Sequence, residues 1–376
     1  MGDEEQQSNP ASGGAEHSVP KLTTGFLVGG GRFTLLQQLG EGGLGVVWLA
    51  HDERLDDRVA LKFLPRAAQS DPEALKHFRR ETQRSRKLTH AHIVRIHDLH
   101  EAPDEDPFIS MEYVEGWNLG QVQAEQTNAV FRWSDLKPLV MQLCEALDFA
   151  HGEGFIHRDL KPANLLMDSQ GRLKLADFGL AGRVVQPKQR VGGGRFPGGT
   201  VTHMCPQQLD DLPPCVTDDI YALGAMLYEF LTGQPPFHSG DVEYQVRQVP
   251  PMPISHRLVE LHFSNPVPSE IAALIMACLS KDPAKRPQTA RAVADWIRSA
   301  ATKEPAETPV LDASKAPEAK EPVRGEAPPT AEPKSTKAAL DATETVLSWS
   351  RRNRWRLAIA VVVVLILGLG WFARHR

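Results

Sequence analysis

The chain has 376 residues, 41% of them hydrophobic and 24% charged, with a formal net charge of −5. That balance suits a globular protein with apolar material for one large or two modest domains, and its acidic sign excludes a general nucleic-acid binder. The four cysteines, Cys144, Cys205, Cys215 and Cys278, form no CxxC pair, which argues for buried thiols in a reducing compartment and against a disulfide framework or a zinc site.

Residues 1–31 are rich in Gly, Ser, Gln, Glu and Pro, too polar for a core, so a disordered leader is expected. They hold no basic stretch followed by an apolar run, so no secretory signal is expected. Apolar periodicity then continues unbroken, predicting one domain over 32–300. Residues 301–350 are dominated by Ala, Pro, Glu, Lys and Thr and predict a solvated, semi-extended linker.

Leu357–Phe372 carries no charge; Arg351, Arg352, Arg354 and Arg356 precede it, and Arg374 and Arg376 follow. About 16 to 18 helical residues span roughly 24 to 27 Å, slightly less than a hydrocarbon core. A transmembrane helix is expected over 355–373, with Trp355 and Trp371 at the interfaces, snorkelling arginines, and 374–376 as a short tail. A buried helix of the domain is the alternative, against which stand the intervening linker and the all-round apolar composition. The denser arginine cluster before the span places domain and linker on the cytoplasmic side of a cell membrane, in a single-pass arrangement.

The first chemical signal is Leu39-Gly40-Glu41-Gly42-Gly43-Leu44-Gly45-Val46-Val47. Its glycines lie between two strand-like runs, so they predict a hairpin, not the strand-to-helix turn of a dinucleotide fold. Such a hairpin can lay its backbone close over a triphosphate; a purely structural turn remains the alternative. No GK[ST] follows, which excludes a Walker A loop. Val59-Ala60-Leu61-Lys62 reads as the next strand, with Lys62 a candidate ligand of the α- and β-phosphates. A helix follows, with Ser70 or Asp71 as cap, Pro72 in its first turn, and Leu75, Phe78 and Leu88 facing inward. Glu81 is a candidate partner for Lys62, or an exposed acid among Arg79, Arg80, Arg84 and Arg86. His90, His92, His97 and His100 read as a loop entering a strand, not as metal ligands.

The strongest segment is His157-Arg158-Asp159-Leu160-Lys161-Pro162-Ala163-Asn164-Leu165-Leu166, followed by Asp177-Phe178-Gly179. A proton acceptor must stand near an incoming hydroxyl, while an amide oxygen and a second carboxylate hold Mg²⁺ against phosphates. Asp159 is the candidate acceptor, Lys161 a partner of the transferred group, and Asn164 and Asp177 the metal ligands.

With these motifs in this order, residues 32–300 resemble the Hanks-type (eukaryotic-like) protein kinases, especially the membrane-anchored serine/threonine kinases of bacteria. The resemblance implies an α+β bilobal fold. Its N-lobe, about 32–114, would be an antiparallel five-stranded sheet with one helix, and its C-lobe, about 115–300, mainly helical. It implies ATP with Mg²⁺, or Mn²⁺ in its place, in the cleft, and protein substrates with serine or threonine. It makes Met111 the gatekeeper and Glu112-Tyr113-Val114 the adenine-pairing hinge, with Leu39, Val47, Ala60 and Leu166 sandwiching the base. Lys161 matches the serine/threonine pattern, Asp219 the aspartate that braces the catalytic loop, and Thr200 a residue that contacts Asp159 and Lys161. Some relatives pair as transient kinase-domain dimers. A nucleotide-binding scaffold without efficient transfer and a small-molecule phosphotransferase are the competing readings.

Two departures from the pattern stand out. The segment usually reading Ala-Pro-Glu is Cys205-Pro206-Gln207, so Arg286 meets an amide where relatives have a carboxylate, and a less stable C-lobe is expected. Leu180 to Gly199 contains no Ser, Thr or Tyr but carries Arg183, Lys188, Arg190 and Arg195; activation without phosphorylation of that stretch is therefore expected. The linker offers Thr308, Ser314, Thr330, Ser335, Thr336, Thr343 and Thr345 as autophosphorylation sites.

Overall fold

A computed structural model of the chain describes residues 22–42, 45–64, 69, 72–102, 105–178 and 201–301. Gly43, Leu44, the Ser70 and Asp71 caps, Thr200 with the stretch before it, most of the leader, the linker and the C-terminal apolar run lie outside these residues.

The N-terminal half is built on one antiparallel sheet. Its strands are β1 (Leu27–Val28), β2 (Phe33–Gly42), β3 (Gly45–Asp52), β4 (Asp57–Phe63), β5 (Ile96–Ala102) and β6 (Glu105–Glu112), in the order β1-β2-β3-β4-β6-β5. The sheet therefore has six strands where five were expected, and its first strand precedes Arg32. The extra strand comes from the stretch expected to be a disordered leader. Leu27 pairs with Thr34 and Val28 with Phe33, Val28 is buried, and Leu22 and Phe26 pack on the same core. The turn between β1 and β2 is held by Glu105, whose carboxylate accepts the Gly29 and Gly30 N–H groups at 2.6 and 3.1 Å. Gly29 has φ +65, and a Cβ there would stand 2.9 Å from the Phe33 ring, so only glycine suits the site. A polar composition hid a strand that needs only two residues to pair.

Helix α1 is described over Pro72–Ser85. Its Phe78 and Leu75 pack with Leu64, Ile96, Ile109 and Leu99 against the sheet, while Leu88 belongs to the larger core of the other lobe.

The C-terminal half is mainly helical. A small sheet of β7 (Gly116–Asn118), β8 (Leu165–Asp168) and β9 (Leu173–Leu175) lies beside helices α2 (Leu119–Ala124), α3 (Trp133–Gly152), α4 (Pro206–Leu209), α5 (Val216–Thr232), α6 (Val242–Gln248), α7 (Ile254–Glu260), α8 (Ser269–Cys278) and α9 (Ala290–Ala301). Helix α5 is the axis of this lobe, and nearly all its side chains are buried. At Gly224 it meets α8 so closely that a Cβ would lie 2.6 Å from Cys278 Cβ.

Gln207 sits at the base of this lobe and uses both ends of its amide. Oε1 accepts from Arg286 Nη2 at 2.6 Å, and Nε2 donates to the Lys281 carbonyl at 3.0 Å. The amide thus forms the expected contact and adds a bond that a carboxylate cannot donate. Arg286 is buried, and its other acceptors are the carbonyls of Ser280, Thr217 and Lys281. Two cations therefore share a pocket with neutral partners, the second being Lys281, whose ammonium lies 4.4 Å from the Phe237 ring centroid and donates to the Gln245 carbonyl.

Burial, and then the Arg286 charge, push the Lys281 pKa down to about 8. An unfolded chain holds that proton to about pH 10.4, so between about pH 8 and 10 the unfolded state binds more protons and this group adds stability as pH rises. Below pH 8 the penalty is fully present. Buried Cys144 and Tyr221, whose pKa values burial raises, act in the opposite direction at high pH, so a difference measurement is needed. The parent is expected to gain stability relative to Lys281→Met across pH 8–10 in urea titrations, and a pH-independent difference would count against this electrostatic account.

Candidate active site

The cleft between the two halves is built from both sheets. Pairing of β4 with β6 sets Ala60 opposite Met111, and Lys62 opposite Ile109. Ala60, Val94 and Met111 form a small buried cluster against which Val47, Tyr113, Val114, Leu166 and Ala176 pack. Five residues named from the sequence for the adenine pocket, Val47, Ala60, Met111, Val114 and Leu166, are thus brought together, along with Tyr113 of the hinge. Val94 and Ala176 were not singled out, since an apolar residue beside a loop carries no signal of its own. Leu39 stays 43% exposed on β2, outside the cluster. The Glu112 carboxylate is taken by Lys174 at 2.6 Å and by the Arg95 N–H at 3.1 Å, and its own N–H donates to the Arg95 carbonyl at 2.8 Å.

Above the cluster, β2 and β3 close the glycine hairpin by pairing Gly40 with Val47, Glu41 with Val46, and Gly42 with Gly45. The expected hairpin is present, and the Glu41 side chain turns sideways to Gln38 Nε2 at 3.2 Å.

On the floor of the cleft, Lys161 Nζ lies 2.7 Å from Asp159 Oδ2. Asn164 Nδ2 donates to the Asp159 carbonyl at 2.7 Å and reaches Oδ2 at 3.2 Å, so its amide oxygen is the end left for a metal. Lys62, only 3% exposed, places its ammonium 2.8 Å from Asp177 Oδ1. That contact lacks hydrogen-bond geometry, and among the described residues the buried ammonium has no hydrogen-bond partner. A buried cation with unfilled donors beside the Asp177 carboxylate, together with the Asp159 carboxylate and the Asn164 amide oxygen on the floor, fits a polyphosphate with a hard divalent ion. Burial is the largest influence on the Asp177 pKa and raises it, but the neighbouring Lys62, with His157 and Lys161, together hold the carboxyl below the usual range.

The expected Lys62–Glu81 pair is not made among the described residues. Glu81 turns to Arg84 at 3.3 Å, and Lys62 takes Asp177. Helix α1 is fixed in this setting from outside, by Arg79 to Glu101 at 2.8 Å and Arg86 to Asp98 at 3.0 Å, and from inside by Ser85 Oγ to the Phe178 carbonyl at 3.3 Å.

A second tier of contacts holds the floor. Asp219, fully buried, accepts the backbone N–H groups of His157 and Arg158 at 2.8 and 2.9 Å and pairs with His151 Nε2 at 2.9 Å. This is the brace expected of Asp219. It secures Arg158 at φ +67, a left-handed conformation that costs roughly 1–3 kcal/mol for a non-glycine residue. His157 in turn reaches the Ala176 carbonyl at 2.8 Å and packs edge-on to Phe178, linking the Asp159 segment to the Asp177 segment. His151 was missed because it is separated from Asp219 by 68 residues and has no motif of its own.

Comparisons with known proteins agree with this geometry. The family profile described as "Protein kinase domain" matches residues 33–297. The probable serine/threonine-protein kinase PknB of Corynebacterium glutamicum is 36% identical over 270 residues, covering 70% of this chain and 41% of the relative. Serine/threonine-protein kinase PknB of Mycolicibacterium smegmatis is 36% identical over 275 residues, covering 71% and 43%. The matched region is thus about two-fifths of these relatives' length. The crystal structure of the Mycobacterium tuberculosis PknI kinase domain superposes with a TM-score of 0.59 at 28% identity, covering 75% of this chain and all of that one.

Proposed function

The chain belongs to the protein kinase domain family, and from that membership we propose that it transfers the γ-phosphoryl group of ATP to serine and threonine hydroxyls of proteins, itself included. The observation that carries this reading is the convergence of Lys62 and Asp177 on one side of the cleft with Asp159, Lys161 and Asn164 on the other. Bound ATP supplies the phosphoryl group, and a divalent ion, Mg²⁺ or Mn²⁺, neutralises its charge. Lys62 meets the phosphates with its unfilled donors, which requires it to share or give up Asp177. Asn164 and Asp177 present oxygen to the ion. Asp159 accepts or orients the hydroxyl proton, and Lys161, already 2.7 Å away, stabilises the group in flight. Catalysis on this plan is positioning and charge neutralisation.

One observation favours a nucleotide-binding scaffold as the second reading: Lys62 pairs with Asp177 while Glu81 is turned to Arg84. Incubation with labelled ATP, Mg²⁺ and a generic protein substrate separates the two. Asp159→Asn is expected to lower transfer by at least about 100-fold, the usual contribution of a positioned proton acceptor, while nucleotide binding persists. Binding without transfer by the parent chain supports the scaffold.

We further propose that Leu357–Phe372 anchors the chain in the cell membrane as a single helix, with domain and linker on the cytoplasmic side. Among the described residues no helix is long and apolar enough to cross a membrane, and the run itself lies outside them. Its length, lack of charge and arginine flanks support the reading. The full chain is expected in the membrane fraction after carbonate wash, and a chain ending at residue 301 in the supernatant; recovery of both in the supernatant refutes the anchor. Tethering raises local concentration, and we propose transient pairing of kinase domains on that basis. Sedimentation of the full chain in detergent is expected to show a concentration-dependent monomer–dimer equilibrium, whereas a monomer throughout rejects it.

A further inference from the structure

The base of the C-lobe holds an amine that the proposed phosphoryl transfer does not use. Lys281 is half-buried just past the end of α8. Its ammonium donates to the Gln245 carbonyl at 3.2 Å and stands 4.4 and 5.8 Å from the ring centroids of Phe237 and Tyr221. All of these partners are neutral. The other cation of the pocket, Arg286, is tied to the same residue, since its Nη2 donates to the Lys281 carbonyl at 3.1 Å.

The carboxylates on the surrounding elements are engaged elsewhere. Arg247 holds Asp210 at 2.8 Å and Glu243 at 3.2 Å. Asp218 accepts the Cys205 thiol at 3.2 Å and the Cys215 N–H at 2.9 Å. Asp282 accepts the Ala284 N–H at 3.0 Å and stands 4.0 Å from Lys285. Among the described residues neither cation of the pocket therefore has a carboxylate partner. A charge that loses water and gains no counter-charge is costly. The cost falls on the group able to shed it, because a guanidinium keeps its proton and an amine need not. Burial and Arg286 accordingly hold the Lys281 pKa at about 8.

We propose that Lys281 is a modification site for small activated acyl groups, with an acetyl group carried as an acyl phosphate as the donor. The Nζ lone pair of the neutral amine attacks the acyl carbon. A C–N bond forms as the C–O bond to phosphate breaks, phosphate leaves with that electron pair, and one amine proton passes to solvent; nothing is oxidised or reduced. The product suits the pocket. Its amide N–H keeps a donor for the Gln245 carbonyl, its methyl group faces aromatic carbon, and no ion pair is broken. The Lys281 carbonyl goes on accepting from Gln207 Nε2 on α4. Gln208, the next residue of α4, donates to the Arg158 carbonyl at 2.7 Å, so the modification acts on the support of the catalytic loop and not on the reacting groups.

The test treats the full chain in detergent with acetyl phosphate at pH 7.5 and reads the initial rate of acetylation at each lysine by peptide mass spectrometry. Lys76 and Lys285, with side chains 76% and 75% exposed, set the rate of ordinary amines. A proton lost near pH 8 instead of about 10.4 gives Lys281 roughly 100-fold more free amine. The weaker basicity of that amine returns part of the gain, and a rate about tenfold above the two references is expected. A rate at or below theirs overturns the proposal. Lys281→Gln, whose amide stands in for the acylated side chain, is expected to unfold at a higher urea concentration than Lys281→Arg, which keeps the charge. The reverse order means that the pocket needs a cation there, and overturns the proposal as well. Neither readout involves phosphoryl transfer, so a chain without kinase activity sinks the proposed function and leaves this inference standing.

Discussion

A buried carboxylate holds the active region in place. Asp219 lies at the start of α5 with no solvent exposure, yet it accepts two backbone N–H groups of the catalytic loop and pairs with His151. Burial is the largest influence and works against its charge, but the His151 and His157 contacts together hold its pKa below the usual range. A buried ion is stable only when its lone pairs are filled, and here the partners are the backbone groups that set the direction of Asp159 and Lys161. The left-handed backbone at Arg158 is tolerable because these bonds leave it no freedom to relax. Asp177 has φ +67 as well, and the His157 contacts to Ala176 and Phe178 couple that second strained residue to the first.

The cleft as folded holds its charges in a closed arrangement. Lys62, Asp177, Asp159 and Lys161 neutralise one another in pairs, so no isolated charge is buried when phosphates are absent. Helix α1 contributes no carboxylate to this arrangement; its basic residues are drawn outward to Glu101 and Asp98. Exposed pairs of this kind contribute little each, so the setting of α1 rests mainly on the packing of Phe78 and Leu75 against Leu64, Ile96 and Ile109. The same logic applies at the base of the C-lobe, where Gln207 replaces a charged partner of Arg286 and leaves Lys281 in a pocket that favours its neutral form.

Most of the site could be read in advance because it is local. Asp159, Lys161 and Asn164 lie within six consecutive positions, and the loop's own backbone brings them together. The hinge and adenine pocket were also accessible, since strands β4 and β6 pair in a register that sets Ala60 beside Met111. What escaped was either too short or too distant. The Leu27–Val28 strand is two residues long and lies at the edge of a polar, glycine-rich leader. His151, His203 and Glu229 lie far from their partners along the chain, and each alone resembles an ordinary helix or turn residue.

The sequence by itself determined the lobes, the order of the chemical groups and the class of ligand they suit, because spacing within a loop or a strand translates directly into geometry. Only the tertiary structure decided the pairing of those groups. The expected partner of Lys62 was Glu81, but in the fold Lys62 lies beside Asp177 and Glu81 pairs with Arg84; Glu229 had no evident partner until the fold set it beside His203. Charge pairing is settled by distances of a few ångströms between separate elements, and one-dimensional spacing carries no information about these until the core has fixed how the elements cross.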